Sequence, residues 1–375
     1  MGYHFWSYET LKQLSLDAFQ AFGFSAAESD IIQDVLLTAD LFGIESHGIQ
    51  RMSRYHQCIR NGMIQVDAKP EVVFETPLGA VIDGHDGMGQ LIAASAMELA
   101  IQKAKQHGVG FVSVRNSNHY GIAGYYARMA SRQGLIGFST TNSEAIVVPT
   151  YGRKAMLGTN PLAFAFPAEP VDFLLDAATS VVTRGKLEVY NKRGEALPDG
   201  WALDQRGLPS SDAGAVLNNI VHKAGGGIMP LGGDSELLGG HKGYGYAMLG
   251  EIFSSILSQG TTSDECLTGG RGGTCHGFVA IDPALFGDPT AIRRHFEGFL
   301  DKLRQAEKAD GQDRIYIHGE KEAESVDCRL AEGIPVNDRT LAELETLCQD
   351  LSLPFSHYFG DCRPEAGQPQ YQDRF

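Results

Sequence analysis

A histidine and two arginines fall close together in Gly43-Ile44-Glu45-Ser46-His47-Gly48-Ile49-Gln50-Arg51-Met52-Ser53-Arg54-Tyr55. An imidazole exchanges a proton near neutral pH, and a guanidinium grips a carboxylate through two parallel hydrogen bonds. The trio therefore suits acid–base work on a small carboxylic acid. The spacing predicts one helix that opens at Ser46-His47-Gly48 and stops at Asn61-Gly62. At roughly 100° per residue it gathers His47, Arg51, Arg54 and Cys58 in a stripe about 60° wide, with Ile49, Met52 and Ile59 elsewhere on the circumference. A histidine at a helix start is also a common cap, and helical arginines are commonly solvated, so the rest of the chain has to supply the partners.

The elements that must position these groups begin with helices. Leu11, Leu14, Ala18 and Phe22 recur at helical spacing up to Gly23. Ser25-Ala26-Ala27-Glu28 is a capping box that opens a second helix with Ile31, Val35, Leu36 and Ala39 on its apolar face. The texture then changes to strands, polar loops and helices in alternation. Strands are predicted at Glu71–Glu75, Ala80–Asp83, Gly110–Val114, Leu135–Ser139, Leu162–Phe166, Phe173–Asp176, Gly277–Asp282 and Arg314–His318. Helices are predicted at Gly89–His107, Tyr125–Arg132, Ala247–Leu257, 289–309 and Thr340–Asp350, and long loops over 191–240 and 259–275.

Chemistry in such an arrangement sits on the loops at strand ends. His119 lies in one such polar turn, Arg115 to Gly121, and Asp176 closes another strand. An acid there can cap the segment that follows; Asp176 is also the carboxylate expected to orient His47 and to favour its protonated form. Gly239-Gly240-His241-Lys242-Gly243 precedes a helix and suits a phosphate at a helix N-terminus, although it is not a P-loop pattern and serves equally as a tight structural turn.

Bulk properties exclude several function classes. The hydrophobic fraction of 43% and charged fraction of 21% over 375 residues are those of a globular chain long enough for one large or two intertwined domains. A net charge of −15, from 31 basic and 46 acidic residues, argues against nucleic acid or an anionic membrane as partner. Cys58, Cys266, Cys275, Cys328, Cys348 and Cys362 are far apart and form no metal or disulfide pattern, which suits free thiols in the cytoplasm. No signal peptide is expected at Met1–Trp6, and no apolar run approaches the ~20 residues of a membrane helix. A G-x-G-x-x-G fingerprint, an H-E-x-x-H metal motif and a G-x-S-x-G elbow are absent, so no metal is expected. His-centred acid–base work, arginines for an anion and glycine-rich loops for phosphates remain.

Six motifs in order then carry a resemblance. They are Ser46-His47-Gly48 with Arg51 and Arg54-Tyr55, Asn118-His119-Tyr120-Gly121, Thr141-Asn142-Ser143, Gly158-Thr159-Asn160-Pro161, Leu175-Asp176-Ala177-Ala178-Thr179-Ser180, and Gly319-Glu320-Lys321. Together, from about residue 8 to about residue 350, they resemble the malate/L-lactate dehydrogenase family that is distinct from Rossmann-type enzymes. That family includes malate, sulfolactate and ureidoglycolate dehydrogenases and the diketogulonate and piperideine-carboxylate reductases.

The resemblance implies an α/β, non-Rossmann NAD(P)-binding fold with a mixed sheet and a helical layer built from the N- and C-terminal segments. It implies a homodimer that transfers hydride between NAD or NADP and C2 of a 2-oxo or 2-hydroxy acid, malate/oxaloacetate first. His47 would carry the proton, with Asp176 its partner and His119 its rival. Ser46, Arg51, Arg54, Tyr55 and Thr159 would serve the substrate. The cofactor would meet His119, Asp176, Ala177, Ala178, Thr179, Ser180, Val181, Val182, His241, Lys242, Gly319, Glu320 and Lys321. Ala177 stands where the family pattern carries Met, a mild departure. The expected layout is a helical segment over 1–75, a cofactor-binding domain over 76–310, and a strand and helix over 311–375 that return to the helical layer.

Overall fold

Apolar stretches bounded by glycine, proline and polar turns become the strands of a seven-stranded sheet. A computed structural model of the chain describes residues 2–268 and 270–360, so Cys362 lies outside the described residues. The sheet order is Glu71–Glu75, Gly79–Asp83, Val109–Ser117, Thr274–Ile281, Ile136–Thr141, Leu162–Phe166, Phe173–Ala177. Gly79–Asp83 and Val109–Ser117 are parallel, joined by the Gly89–His107 helix as crossover. The other pairings are antiparallel, so the sheet is mixed and unlike a parallel Rossmann sheet. Two strand glycines let helices approach closely: a Cβ on Gly110 would stand 2.0 Å from the Ala100 carbonyl oxygen, and one on Gly137 2.0 Å from that of Ala127. Val112, Val114, Phe278 and Ala280 fill the core between them.

Residues 191–240 are not the long loops that their Gly, Pro, Asp and Ser content predicts. The helices Arg184–Arg193 and Ala213–Val221 and the short strands Ala202–Leu203 and Gly227–Ile228 pack around Leu187, Val216, Ile228 and Ala247. Ala213, Val216, Leu217 and Ile220 do recur at helical spacing behind an Asp212 cap, but the helix is short and the turn-forming residues on either side of it dominate the composition. The following helix starts earlier than predicted, at Gly240, and runs to Glu251, where it widens into a π-helical turn, Ile252–Ile256.

Both ends of the chain build a second set of elements. The helices Tyr8–Ala21, Ala26–Leu41, Met52–Arg60, Glu320–Glu332 and Asp338–Asp350 accompany a small sheet in which Tyr3–Trp6 pairs antiparallel with Ile334–Asn337. The predicted capping box is formed: Ser25 Oγ accepts the Glu28 N–H, and the Glu28 carboxylate accepts the Ser25 N–H at 2.8 Å.

Arg314–His318, predicted as the last strand, is irregular; the C-terminal strand is Ile334–Asn337. Side chains hold the irregular stretch in place of a ladder. Glu320 accepts the Ile317 N–H at 3.0 Å and Arg314 Nη2 at 2.9 Å, and the Arg314 guanidinium and Lys321 ammonium lie over the Tyr316 ring at 4.5 and 4.8 Å from its centroid.

The chain divides into two compact units, Met1–Asp67 with Phe299–Phe375, and Ala68–Gly298. Residues 68–75 fall with the second unit because Glu71–Glu75 is a strand of its sheet. The mixed sheet and the helical unit made from both chain ends are the fold class that the motifs imply.

Candidate active site

Each unit carries its own share of the expected residues. Ser46, His47, Arg51, Arg54, Tyr55 and Gly319–Lys321 belong to the first unit; His119, Thr159, Asp176–Val182, His241 and Lys242 belong to the second.

In the first unit the predicted single helix is broken. Glu45–His47 is one 3-10 turn and Ile49–Arg51 another, separated by Gly48 at φ −88°, ψ −147°, and the α-helix begins only at Met52. The cause is Asp40, in the last turn of the Ala26–Leu41 helix. Its Oδ2 accepts the Ile49 N–H at 2.7 Å, and a Cβ on Gly48 would stand 1.8 Å from its Oδ1. The glycine after His47 is thus a space requirement. The turn sets Ser46 Oγ 2.8 Å from His47 Nδ1, and Arg51 folds back so that its Nε donates to the Ser46 carbonyl at 2.5 Å. Tyr55 is buried and Arg54 exposed.

The expected protonated imidazole is not what this arrangement holds. Lost hydration first, then the positive charges of Arg51 and Arg54, push His47 down to about 3, so it is neutral at physiological pH. Asp40 moves the other way. Burial raises it to about 8 against the opposing pull of the Ile49 N–H and Arg329, with Glu45 adding to the rise. Arg329 Nη1 donates to the Asp40 carbonyl at 2.5 Å and Nη2 pairs with Glu45 at 2.9 Å. Asp40 was absent from the candidate residues, although an acid in a helix's last turn opposes the helix dipole and so signals a tertiary task.

Glu320, expected at the cofactor, is buried and takes Arg304 Nε at 2.7 Å besides Arg314 and the Ile317 N–H. Despite burial, these donors hold its carboxyl below the usual range. Its visible work is to fasten the segment that carries Gly319 and Lys321.

In the second unit Asp176 Oδ2 accepts the Gly124 N–H at 2.6 Å, in the first turn of the Ala123–Ser131 helix that follows His119. Thr179 ties the segment 176–182 to the Thr159 loop: its N–H and Oγ1 both donate to the Thr159 carbonyl at 2.9 Å. His241 and Lys242 are exposed at the start of the Gly240–Glu251 helix, where cationic side chains and a helix dipole suit dinucleotide phosphates.

Two buried residues of this unit escaped the sequence reading. Glu251 Oε1 accepts Asn160 Nδ2 at 3.1 Å and also the Ser263 hydroxyl, while Oε2 accepts Ser255 Oγ at 2.7 Å. Asn160 has a positive φ of 30° and donates as well to the Ala247 carbonyl at 3.1 Å. The signal was a lone acid in an otherwise apolar helix. His276 sits between Thr141 Oγ1 at 2.8 Å and Ser117 Oγ at 2.9 Å, stacked on Tyr120 at 4.4 Å, and burial pushes it down to about 3. It is a neutral packing residue beneath the His119 turn.

Known proteins resemble this chain over most of its length. The family model described as malate/L-lactate dehydrogenase matches residues 6–345. A malate dehydrogenase of Pyrococcus abyssi is 44% identical over 328 residues, 87% of this chain and 89% of that protein. An L-sulfolactate dehydrogenase of Methanocaldococcus jannaschii is 36% identical, covering 93% of this chain and 98% of its own. Among solved structures, a malate dehydrogenase from Entamoeba histolytica superposes with a TM-score of 0.90 at 35% identity, covering 94% of this chain and 99% of that one. The chain belongs to the malate/L-lactate dehydrogenase family, whose members are dehydrogenases acting on hydroxy acids.

Proposed function

We propose that this protein interconverts malate and oxaloacetate with NAD or NADP, and that His47 moves the proton at the C2 oxygen. The observation that carries the reading is the turn that places His47 with Arg51 and Arg54. Two guanidiniums suit the two carboxylates of malate, where lactate offers one. The name of the 44%-identical relative supports the same choice. When bound, the nicotinamide supplies or accepts the hydride. Asp176–Val182, His241, Lys242 and Gly319–Lys321 are the residues assigned to hold the dinucleotide.

In the oxidative direction a neutral His47 takes the hydroxyl proton. Burial is the main cause of the low imidazole value; substrate carboxylates beside Arg51 and Arg54 offset the positive charge that adds to it, so the imidazole holds the proton better than in the free enzyme. Arg51 fixes the carboxylate and gains rate by orientation. Tyr55, Ser46 and Thr159 complete the substrate assignment.

A second reading gives the proton to His119 with Asp176 as its orienting acid. The bond from the Gly124 N–H to Asp176, five residues after His119, favours it. Other family substrates, from sulfopyruvate and diketogulonate to a cyclic imine, are the alternatives on the substrate side.

The active form we assign is a homodimer. An exposed apolar stripe of Tyr246, Leu249, Ile252 and Ile256 on the Gly240–Glu251 helix and its π-helical extension supports a second copy as cover. Cysteines that form no disulfide among the described residues suit the cytoplasm.

The test is oxidation of NADH and, separately, NADPH with oxaloacetate, pyruvate, sulfopyruvate, diketogulonate and piperideine-2-carboxylate. Oxaloacetate should give the highest kcat/KM. Turnover confined to the imine or to another oxo acid would replace malate with that substrate.

A further inference from the structure

We infer that Asp40 is a positioning residue for His47, acting through the Ile49 N–H to hold the turn that presents the imidazole. The inference deepens the proposed function and rests on His47 being the proton-transfer group.

The backbone around Gly48 is pinned on both sides. His47 N–H donates to the Ile44 carbonyl at 3.0 Å, Gly48 N–H to Glu45 at 3.2 Å, and Arg51 N–H to Gly48 at 2.9 Å. The Ile49 N–H opens the second 3-10 turn, where a helix has no carbonyl of its own to offer. Asp40 Oδ2 supplies that acceptor at 2.7 Å. The same carboxyl fills the volume that a side chain on residue 48 would need, since the Cβ position lies 1.8 and 2.4 Å from its two oxygens. Asp40 is 1% exposed, and Arg329 of the Glu320–Glu332 helix fastens its carbonyl and Glu45, so the anchor cannot drift.

An acceptor oxygen, not a full negative charge, does this work. Burial raises Asp40 to about 8 while the Ile49 N–H and Arg329 act against the rise, which leaves the carboxyl largely protonated at neutral pH. An amide therefore reproduces the interaction. A methyl removes it and leaves the Ile49 N–H to find another partner.

The experiment compares D40A, D40N, G48A and D40A/G48A with H47A and the wild-type enzyme. It reads kcat and KM for oxaloacetate reduction, NADH affinity by fluorescence titration, thermal unfolding, and hydrogen exchange of the Ile49 amide. D40A should speed Ile49 exchange and lower kcat on the order of 10²-fold, the scale of a 1 Å misplacement, with NADH affinity unchanged. D40N should recover most of both. G48A should lower the unfolding temperature sharply. D40A/G48A should restore that temperature without restoring kcat, because the volume is refilled and the acceptor is not. It also stands in for D40A if that variant unfolds.

Recovery of kcat in D40A/G48A, or wild-type kcat in D40A with fast Ile49 exchange, overturns the inference and leaves Asp40 as filler. Loss of activity in H47A in the same series would keep the proton assignment standing. Full activity in H47A overturns both, and the Ile49 exchange then reports local structure alone.

Discussion

Asp40 in the first unit and Glu251 in the second are both buried carboxyl groups that end on a motif-bearing loop, and they hold those loops by different means. Asp40 offers an oxygen to one backbone N–H, that of Ile49, and shares its surroundings with Arg329 and Glu45. Glu251 takes three side-chain donors, Asn160, Ser255 and Ser263, and through Asn160 reaches the loop whose Thr159 carbonyl receives Thr179. A single N–H does not offset the lost hydration of a carboxylate, so the Asp40 hold depends on its proton and on pH. Three donors make a fixed cluster in which every polarity must match. One anchor tolerates an amide; the other depends on which partner donates.

The largest effect separating the two is expected at Asn160. N160D replaces the donor with an acceptor against the buried Glu251 carboxyl, and should cost on the order of 3 kcal/mol in stability, read by denaturant unfolding. E251Q placed in the N160D background restores a donor opposite an acceptor and should return most of that loss in a double-mutant cycle. An N160D chain as stable as the wild type would mean the cluster repacks freely.

The pH dependence of stability sharpens the other side. Asp40 binds its proton more tightly in the fold, at about 8, than at its ordinary value of 3.8. Its contribution is therefore fully present below about pH 3.8 and is lost as pH rises through about 8. Relative to D40N, the wild type should lose about 2 kcal/mol or more of stability between pH 5 and pH 8.5, measured as the gap between unfolding midpoints. A gap that stays flat over that range would mean Asp40 titrates like an exposed acid.

The smallest change is expected for R51K, which keeps the charge but removes the planar fork. KM for oxaloacetate should rise by about tenfold with kcat less affected. An unchanged KM would move carboxylate binding to Arg54.

What was legible in the sequence divides along the same line. Strands such as Glu71–Glu75 and Leu162–Phe166, the Gly89–His107 helix and the Ser25–Glu28 capping box follow from local pattern and cap chemistry, and they form as read. The break at Gly48 was not legible, because it is imposed by Asp40 from the preceding helix, eight residues earlier. Ile315-Tyr316-Ile317 alternates like a strand yet has no ladder, since Glu320 claims the Ile317 N–H. The 191–240 segment hid the helix Ala213–Val221 and two short strands among turn-forming residues, because the nine-residue helix is short and its flanks are rich in Gly, Pro, Asp and Ser. His47, Arg51 and Asp176 stood out by residue type and motif, whereas Asp40, Glu251 and His276 touch the candidate residues or their loops only through backbone or neighbouring groups. Such residues carry no motif of their own.

The most direct test is the single-turnover rate of NADH oxidation with saturating oxaloacetate in H47A and H119A, side by side with the wild type. The account predicts a loss on the order of 10²–10⁴ in H47A and a much smaller one in H119A. An H47A enzyme that keeps most of its rate while H119A loses it would contradict the assignment and give the proton to His119 with Asp176 behind it.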